Sequence, residues 1–345
     1  MTATDELAWD EWQALCEMMN GYIKTQVLST ACDLGVFDVI ERGATIESLA
    51  KRLEIDEHGC RVLLLGLKQL KLVSVSETGA ITNAPLTRRC LLRTAEQSMV
   101  PFVHLNDKIQ HRACLHFTRA LREGRNAGLD EFPGDAPTLY GRMATDPALE
   151  RLFHEGMGAY TRLSPRMMKV SEFGDVSMLL DLGGGDGTNA IRLCERYPSL
   201  MVTLVDLPSV IEKARANIEA NGLSDRVTCV AVDMFSDPWP GGCDGVIFSH
   251  VLEIFSPEKI QFLYKKARDY LERDGQLFVW SLMCDDDEAG GLQSVKSSLY
   301  FVTVASGEGM AYPVRDHIRW LNEAGFNTVN KYDARAIDHC ALVAR

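Results

Sequence analysis

The chain has 345 residues, of which 46% are hydrophobic, and it carries a formal net charge of −12. This length leaves room for two domains with packed cores. The acidic balance argues against a nucleic-acid partner or an anionic membrane surface, because each requires a cationic protein surface. The N-terminus lacks a signal-type apolar region, and no apolar stretch is long enough to span a bilayer. These features predict a soluble cytoplasmic protein.

Ten cysteines are scattered through the sequence, and none is paired as Cys-x-x-Cys. Several lie in apolar runs, which favours buried reduced thiols over disulfides or a zinc site. The acidic run Asp285–Glu288 has no histidine nearby and is typical of a solvated loop. We therefore expect no metal ion in this protein.

Upstream of residue 170, apolar residues recur with the 3.6-residue period of amphipathic helices. The periodic segments are residues 11–35, 46–53, 57–70 and 108–123. Gly124 is positioned to end a helix, and a further amphipathic helix is predicted over residues 149–168. The stretch 23–40 is apolar over so much of a helix circumference that it is either core or subunit interface.

Residues 45–81 have the pattern of a winged helix-turn-helix. Thr45 caps a first helix, a second helix follows, and residues 72–81 have the pattern of a small hairpin. The second helix carries only Arg61 and Lys68 as cations, whereas a DNA-recognition helix needs basic and amide side chains that face a groove. A dimerisation module is therefore the favoured interpretation, ahead of DNA binding.

From residue 176 onward the pattern changes to alternating strands and helices. The predicted strands are Met178–Leu182, Met201–Asp206, Val227–Val232, Gly245–His250, Leu277–Leu282, Thr328–Tyr332 and His339–Val343, and the helices between them are Thr188–Arg196, Pro208–Ala220, Pro257–Leu271 and Val314–Ala324. Short apolar strands separated by amphipathic helices indicate an α/β, Rossmann-like doubly wound sheet of seven strands. One strand is expected to be antiparallel, because the last two have only a tight connection. Ligands of such sheets bind outside the carboxyl ends of the strands.

The strand at residues 178–182 runs into a glycine turn, Gly183-Gly184-Gly185-Asp186-Gly187. Glycines let the backbone approach a ligand closely, and the next helix begins with unpaired N–H groups. Such a turn is a weak signal by itself, but two further strand ends strengthen it. Asp206 stands where a carboxylate accepts hydrogen bonds from ribose, and Asp233-Met234-Phe235 offers a carboxylate and two side chains that can pack on a base. The combination predicts a cofactor that contains a nucleoside.

Four segments carry a resemblance to a known family. They are Leu34-Gly35-Val36-Phe37-Asp38, residues 121–126, the glycine turn with Asp181-Leu182 before it, and Asp233-Met234-Phe235. Over nearly its whole length the chain resembles the class I S-adenosylmethionine-dependent methyltransferases, and within them the small-molecule O-methyltransferases typified by plant caffeic acid and vertebrate acetylserotonin enzymes.

This resemblance implies methyl transfer from S-adenosylmethionine to a small aromatic or polycyclic molecule of secondary metabolism. It also implies a homodimer whose N-terminal helices intertwine and help to close the partner's substrate pocket. We accordingly expect a winged-helix-like dimerisation domain at residues 1–100, a helical linker with substrate-pocket helices at 101–170, and a cofactor-binding domain at 171–345.

The resemblance further implies the roles of individual residues at the strand ends. Gly183 and Gly185 would border the methionine portion of the cofactor, Asp206 would bind its ribose, and Asp233 and Met234 would hold its adenine. The predicted cofactor site comprises Asp181, Gly183, Gly185, Asp206, Leu207, Asp233, Met234, Phe235 and Ser249.

Charge supports this cofactor over a dinucleotide. Asp186 beside a pyrophosphate would be repulsive, whereas Asp181 and Asp186 suit a sulfonium cation. The glycine spacing also differs from the dinucleotide pattern, since Ala190 stands at the usual place of the third glycine, where alanine is tolerated. NAD binding is therefore a distant second interpretation.

The chain departs from the family at the catalytic position. The enzymes that it resembles place a histidine followed by Asp-Trp after the fourth strand, but Glu253-Ile254-Phe255 stand there in this sequence. Glu253 could act as a general base if burial raised its pKa, and otherwise it caps or salt-bridges the loop. His250 lies one helical turn earlier and is either a second candidate or a core residue. We predict Glu253 and His250 as the catalytic residues.

The missing histidine leaves oxygen, carbon and nitrogen open as the methylated atom. A chlorin-carbon methyltransferase that this chain also resembles lacks the histidine too. Two alternatives remain on the same fold: a non-methylating enzyme that uses the positive charge of the cofactor, and a regulator that senses a ligand. The predicted acceptor pocket comprises Phe153, Met157 and Tyr160 from one helix, Tyr300, Phe301 and Met310 from another, and Glu308 as an offset counterpart of a second family acid.

Overall fold

The computed structural model describes residues 8–162, 171–334 and 338–345. They form two compact units, the first from residues up to 111 together with 148–162, and the second from residues 112–147 together with those from 171 onward. The domain bounds predicted from the sequence stay a prediction. Within the described residues, no helix combines the length and the apolar character that a membrane crossing requires.

The first unit consists of short helices and one hairpin. Its elements are α1 (Trp9–Met19), α2 (Gly21–Asp33), α3 (Val36–Glu41), α4 (Ile46–Leu53), α5 (Glu57–Gln69), β1 (Val73–Val75), β2 (Ile81–Asn83), α6 (Pro85–Cys90), α7 (Val100–Leu105), a π-helical turn (Asn106–His111) and, later in the chain, α11 (Pro147–Arg162). The Thr45 side chain accepts the N–H of Ser48 at 3.3 Å, which confirms the predicted cap of α4. β1 pairs antiparallel with β2, so the predicted hairpin is confirmed, although the winged-helix likeness stays a prediction.

Two long periodic segments are broken in the structure. The predicted helix 11–35 is two helices that meet at Asn20, whose φ of −100° and ψ of 11° lie outside the helical region and whose side chain donates to the carbonyl of Cys16 at 2.9 Å. The apolar stretch 23–40 is interrupted at Gly35, whose φ of 67° is left-handed. Its second half supplies the core through Ala31, Val36 and Phe37.

The predicted helix 108–123 is likewise discontinuous. It comprises the end of the π-helical turn, α8 (Arg112–Cys114) and α9 (Phe117–Glu123), which ends at Gly124 with a φ of 61°, as predicted. The helix predicted over 149–168 is α11, and its predicted continuation from 163 lies outside the described residues.

The second unit contains the sheet. Its further elements are α10 (Leu139–Met143), β3 (Met178–Leu182), α12 (Thr188–Arg196), β4 (Met201–Asp206), α13 (Pro208–Ala220), β5 (Val227–Ala231), β6 (Gly245–Ser249), α14 (Pro257–Tyr270), β7 (Gln276–Leu282), α15 (Leu292–Tyr300), α16 (Val314–Glu323), β8 (Val329–Ala334) and β9 (His339–Ala344), with single helical turns at Ala127–Glu131, Ser171–Asp175, Leu252–Ile254 and Phe301–Ala305. The strand order is β5-β4-β3-β6-β7-β9-β8. β9 is antiparallel to both neighbours, which confirms the predicted sheet with one antiparallel strand.

Strand register brings the predicted site residues to one edge of this sheet. Leu182, the last residue of β3, pairs with Val205 of β4 on one side and with Phe248 of β6 on the other. The three strands are parallel, so their carboxyl ends lie side by side. β3, β6 and β7 are buried almost throughout, which explains their continuous apolar runs.

All ten cysteines lie within the described residues, where they are free thiols. Five of them are buried and five are half-buried, so burial is less complete than the apolar runs suggested. The buried ones are Cys32, Cys60, Cys194, Cys284 and Cys340.

We predict that Gly128→Ala destabilises the second unit. A Cβ at this position would lie 2.7 Å from the carbonyl oxygen of Ala113 and 2.8 Å from that of Thr303, and backbone atoms yield little. The expected loss in the free energy of unfolding is roughly 1 to 3 kcal/mol, typical of overpacking. Denaturant unfolding measures it. Gly241→Ala is the matched control, since a Cβ there meets nothing within 4 Å, and equal midpoints for the two variants would contradict the prediction.

Candidate active site

The glycine turn leaves β3 with a backbone that only glycine adopts easily. Gly183, Gly185 and Gly187 have φ values of 75°, 59° and 79°. A Cβ at Gly183 would lie 2.8 Å from Cγ2 of Val251, whereas a Cβ at Gly185 would meet nothing within 4 Å. The turn is therefore packed at Gly183 and open at Gly185, as a cradle for a ligand requires.

Two carboxylates, those of Asp206 and Asp181, lie beneath this turn and differ in their hydrogen bonding. Asp206 accepts the N–H groups of Gly185 at 2.8 Å and Leu207 at 2.7 Å. Asp181 is buried, and neither of its carboxylate oxygens has a hydrogen-bond partner among the described residues. Burial, and then the charge of Asp206, raises the pKa of Asp181 to about 7. Burial also raises the pKa of Asp206 against its two backbone donors.

These carboxylates fit a cationic nucleoside such as S-adenosylmethionine. A buried carboxylate without a partner lowers its free energy when a cation or donor approaches, and an anionic phosphate would do the opposite. Asp206 has oxygens that already face the glycine turn, where a ribose hydroxyl could donate to them. Asp186 is used differently, because it accepts the N–H of Thr188 at 3.0 Å at the start of α12.

The Asp233-Met234-Phe235 segment forms a turn just beyond β5. Asp233 accepts the N–H of Phe235 at 2.8 Å, and the Met234 carbonyl accepts Nε1 of Trp239 at 2.9 Å. The Met234 methyl carbon lies 3.5 Å from where a Cβ at Gly183 would be, so this side chain reaches the glycine turn. The structure thus brings Met234 close to Gly183, and its contact with adenine stays a prediction.

The end of β6 joins the same edge through Ser249. Its hydroxyl accepts Nδ2 of Asn189 at 3.0 Å, which ties α12 to β6. Asn189 was not predicted, although its place two residues after the last glycine of the turn could have suggested it. Leu207 is 46% exposed at the start of α13.

His250 follows β6 in a left-handed conformation with a φ of 56°, which is uncommon for a residue with a Cβ. Its N–H donates to the carbonyl of Trp280 at 2.8 Å, so sheet pairing continues through the turn. Its Nδ1 lies 3.2 Å from Oε1 of Glu253. A strained backbone held by its surroundings is a recurrent property of functional sites.

Glu253 is 2% exposed and fully engaged. The Ser281 hydroxyl donates to its second carboxylate oxygen. Burial by itself would raise the pKa of Glu253, but the hydrogen bond and charge of His250, with the bond from Ser281, hold that pKa below its ordinary value. The raised pKa under which Glu253 would itself be a base is therefore absent. Ser281 was missed because only strand pairing places β7 beside Glu253.

The ionised carboxylate fixes the tautomer of His250. A carboxylate only accepts hydrogen bonds, so Nδ1 of His250 donates the proton between them, and in the neutral imidazole Nε2 is the nitrogen that carries the lone pair. Nε2 is buried and has no hydrogen-bond partner among the residues that the structure describes. The pair is thus arranged as a base with an orienting carboxylate.

A loop after the Phe301–Ala305 turn lies against the Glu253 segment. Ser306 donates to the carbonyl of Ile254, Tyr312 donates to that of Phe255 at 3.1 Å, and a Cβ at Gly309 would collide with the Glu253 carbonyl. Met310 lies in this loop, which corrects its predicted place on a helix. Glu308 forms an ion pair with Lys259, so it is turned toward α14.

The other predicted pocket residues fall in both units. Tyr300 ends α15, is 7% exposed, and donates to the hydroxyl of Tyr140 at 3.4 Å, while Phe301 begins the next turn and is 6% exposed. Tyr140 was not predicted. Phe153, Met157 and Tyr160 lie on α11 of the first unit, where Tyr160 stacks on Phe102 with ring centroids 4.9 Å apart.

Two family models match the chain. The model for an O-methyltransferase domain matches residues 114–327, and that for an O-methyltransferase dimerisation domain matches residues 16–93. Among curated relatives, an L-tyrosine C(3)-methyltransferase of Streptomyces lavendulae is 29% identical over 92% of this chain and 87% of its own length. A 3-hydroxy-5-methyl-1-naphthoate 3-O-methyltransferase of Streptomyces sahachiroi is 27% identical over 91% and 89%.

Two solved structures of methyltransferases are also similar to this chain. The S-adenosylmethionine-dependent methyltransferase SibL, in its apo form, is 34% identical with a TM-score of 0.81, over 96% of this chain and 98% of its own. Human N-acetylserotonin methyltransferase in complex with S-adenosylmethionine is 25% identical with a TM-score of 0.87, over 100% and 99%.

We predict that S-adenosylmethionine binds more tightly as pH rises from about 5.5 to about 7.5. The pKa of Asp181 is raised to about 7, so the carboxylate becomes anionic across this window and then attracts the cationic cofactor. Calorimetric titration at several pH values measures the trend. Asp181→Asn should flatten it, and Asp225→Asn, in an exposed turn, is the control. An unchanged slope in Asp181→Asn would show that another group is responsible.

Proposed function

The chain belongs to the O-methyltransferase family, and we propose that it methylates a small aromatic molecule with a phenolic hydroxyl, using His250 as the base that receives the hydroxyl proton. It is an S-adenosylmethionine-dependent methyltransferase. The observation that carries the proposal is the His250–Glu253 pair, in which a buried carboxylate lies 3.2 Å from Nδ1 of an imidazole whose Nε2 has no hydrogen-bond partner among the described residues.

The cofactor would lie along the edge formed by three strand ends. Gly183 and Gly185 would border its methionine portion, with Asp181 near its positive charge and Asp206 at its ribose. Asp233, Met234 and Phe235 would hold the adenine, and Leu207 and Ser249 would complete the lining. The bound cofactor supplies an electrophilic methyl group on a sulfonium sulfur.

The role of His250 follows from proton affinity. A phenol has a pKa of about 10, so a carboxylate with an ordinary or lowered pKa is a poor base for it and an imidazole is better matched. Glu253 would hold the imidazole in place and stabilise the imidazolium that forms when the proton arrives. From the sequence, Glu253 was the first candidate for the base and His250 the second. The proposal reverses this order.

Removal of the phenol proton prepares the acceptor for methylation either at oxygen or at a ring carbon. A phenolate shares its negative charge between the oxygen and the ring carbons beside it, so the atom that faces the methyl group decides the product. The two relatives act on L-tyrosine at a ring carbon and on a hydroxynaphthoate at oxygen, by their names. Both acceptors carry a ring hydroxyl and a carboxylate, and we propose a hydroxyaryl acid as the acceptor class here.

Within the second unit, Tyr300, Phe301 and Met310 would line the acceptor pocket, with Tyr140 added. Phe153, Met157 and Tyr160 stay a prediction from the sequence. Glu308 is a weaker candidate because it pairs with Lys259. We do not propose a non-methylating enzyme or a ligand-sensing regulator, because the chain belongs to a family of methyltransferases.

A homodimer built through the first unit is part of the proposal. The matched dimerisation domain includes α2, and large apolar side chains of α1 and α2 are exposed: Trp9 by 78%, Met18 by 78% and Tyr22 by 58%. Exposed apolar faces of this kind mark interaction surfaces. Light scattering on the purified protein should give the mass of two chains.

We predict that His250→Ala lowers kcat by roughly a hundredfold, because general-base catalysis is lost, and that added imidazole restores part of the rate. Glu253→Gln should lower kcat at least about tenfold, because an amide no longer selects the donor tautomer at Nδ1. The affinity for S-adenosylmethionine should be unchanged in both variants. Steady-state kinetics with cofactor titrations separates these effects.

Glu272→Gln, at an exposed position after α14, is the control for removal of a carboxylate. If His250→Ala keeps the kcat of the unaltered enzyme, the base assignment is wrong. If both variants also lose cofactor affinity, the pair is structural.

The function is tested by incubating the enzyme with methyl-labelled S-adenosylmethionine and a panel of hydroxyaryl carboxylic acids. We expect label in one acceptor and release of S-adenosylhomocysteine in equal amount. Carbon NMR of the product distinguishes a methyl ether from a ring methyl group. Cofactor binding without transfer to any phenol, but with transfer to an aromatic amine, would contradict the proposed acceptor class.

A further inference from the structure

The turn that follows β5 is held by an ammonium group from α14. Lys266 donates from Nζ to the carbonyls of Met234 at 2.9 Å and of Asp237 at 2.8 Å. The carbonyl of Phe235 accepts from the same Nζ at 3.4 Å. Nε1 of Trp239 also donates to the Met234 carbonyl, and the Lys266 ammonium lies over the Trp239 ring, 4.9 Å from its centroid. One charged donor thus joins three carbonyls of a short turn, and hydrogen bonds of this kind are among the stronger ones in proteins.

The position of this turn in the sheet explains why it needs such support. β5 is an edge strand and pairs with β4 alone among the described strands, so strand pairing holds the turn from one side. Phe262 stands four residues before Lys266 on α14, which places the two side chains on the same face of the helix. The Phe262 ring stacks on that of Phe235 with centroids 6.3 Å apart. One face of α14 therefore supplies both an apolar contact and a cation to the turn.

Met234 connects Lys266 to the candidate cofactor site. Its carbonyl accepts from Lys266, while its methyl carbon lies 3.5 Å from where a Cβ at Gly183 would be. Because carbonyl and side chain belong to one residue, the bond that fixes the first also restricts the second. Asp233, the other residue proposed to hold the adenine, directly precedes Met234. Burial lowers the pKa of Lys266, and the charges of Asp233 and Asp237 oppose that shift, so the ammonium also acts on these carboxylates.

We propose that Lys266 is a positioning residue for the adenine of the cofactor, because its ammonium fixes the turn that carries Asp233 and Met234. Lys266 acts through the backbone of this turn and is not itself a contact of the cofactor. The inference rests on the proposed function, in which Asp233 and Met234 hold the adenine. Adenine presents an amino donor to a carboxylate, whereas hypoxanthine presents an oxygen at the same place, so a correctly placed Asp233 distinguishes the two nucleobases.

The test compares calorimetric binding of S-adenosylhomocysteine with that of S-inosylhomocysteine, in which hypoxanthine replaces adenine. We expect the unaltered enzyme to bind the adenine form more tightly. Lys266→Met should weaken S-adenosylhomocysteine by about tenfold or more and S-inosylhomocysteine by less, so the ratio of the two affinities falls. Lys266→Arg keeps a cation with several donors and should retain most of that ratio. If Lys266→Met does not fold, Lys266→Gln, which keeps one donor group and lacks the charge, takes its place in the comparison.

Lys265→Met is the matched control, since Lys265 is exposed on the same helix and pairs with Asp269, and it should change neither affinity. Equal losses for both ligands in Lys266→Met, or no loss for either, would overturn the inference. If the unaltered enzyme binds both ligands equally, the adenine contacts in the proposed function are wrong and the inference fails with them. If the ratio falls as expected but no phenol is methylated, the role of Lys266 stands and the proposed acceptor is wrong.

Discussion

The parallel pairing of β3 between β4 and β6 is the constraint on which the site depends. Parallel strands end at the same edge, so one register places the glycine turn, Asp206 and Ser249 side by side although they are far apart in sequence. A slip of one residue would turn Asp181 and the apolar residues of β3 to the opposite faces of the sheet. Both faces of β3 are buried, which makes such a slip costly.

Two buried carboxylates at this edge, those of Asp181 and Glu253, have pKa values that shift in opposite directions because their surroundings differ. Asp181 has no partner, and burial with the charge of Asp206 raises its pKa. Glu253 is buried equally well, but His250 and Ser281 lower its pKa. Asp181 is suited to attract a cation, and Glu253 is suited to orient a base. The difference between their pKa values comes from hydrogen bonding more than from burial.

The geometry of the His250–Glu253 pair depends on the backbone as much as on the side chains. His250 adopts a left-handed conformation at the end of β6, and the loop at Ser306–Tyr312 bonds to the carbonyls that follow Glu253. The close approach at Gly309 leaves no space for a side chain. Strand pairing on one side and this loop on the other hold Glu253 within reach of His250.

The sequence by itself determined the sheet, its antiparallel strand, the glycine turn and the family, because buried strands and glycine turns leave local patterns that a single chain displays. Strand ends came within one or two residues of those predicted. The apolar period runs through 11–35 without interruption, so the sequence could not show that the helix ends at Asn20, where the backbone leaves the helical region. The proposal of His250 over Glu253 as the base rests on the tertiary structure, because the pKa of Glu253 depends on His250, on Ser281 from another strand and on burial.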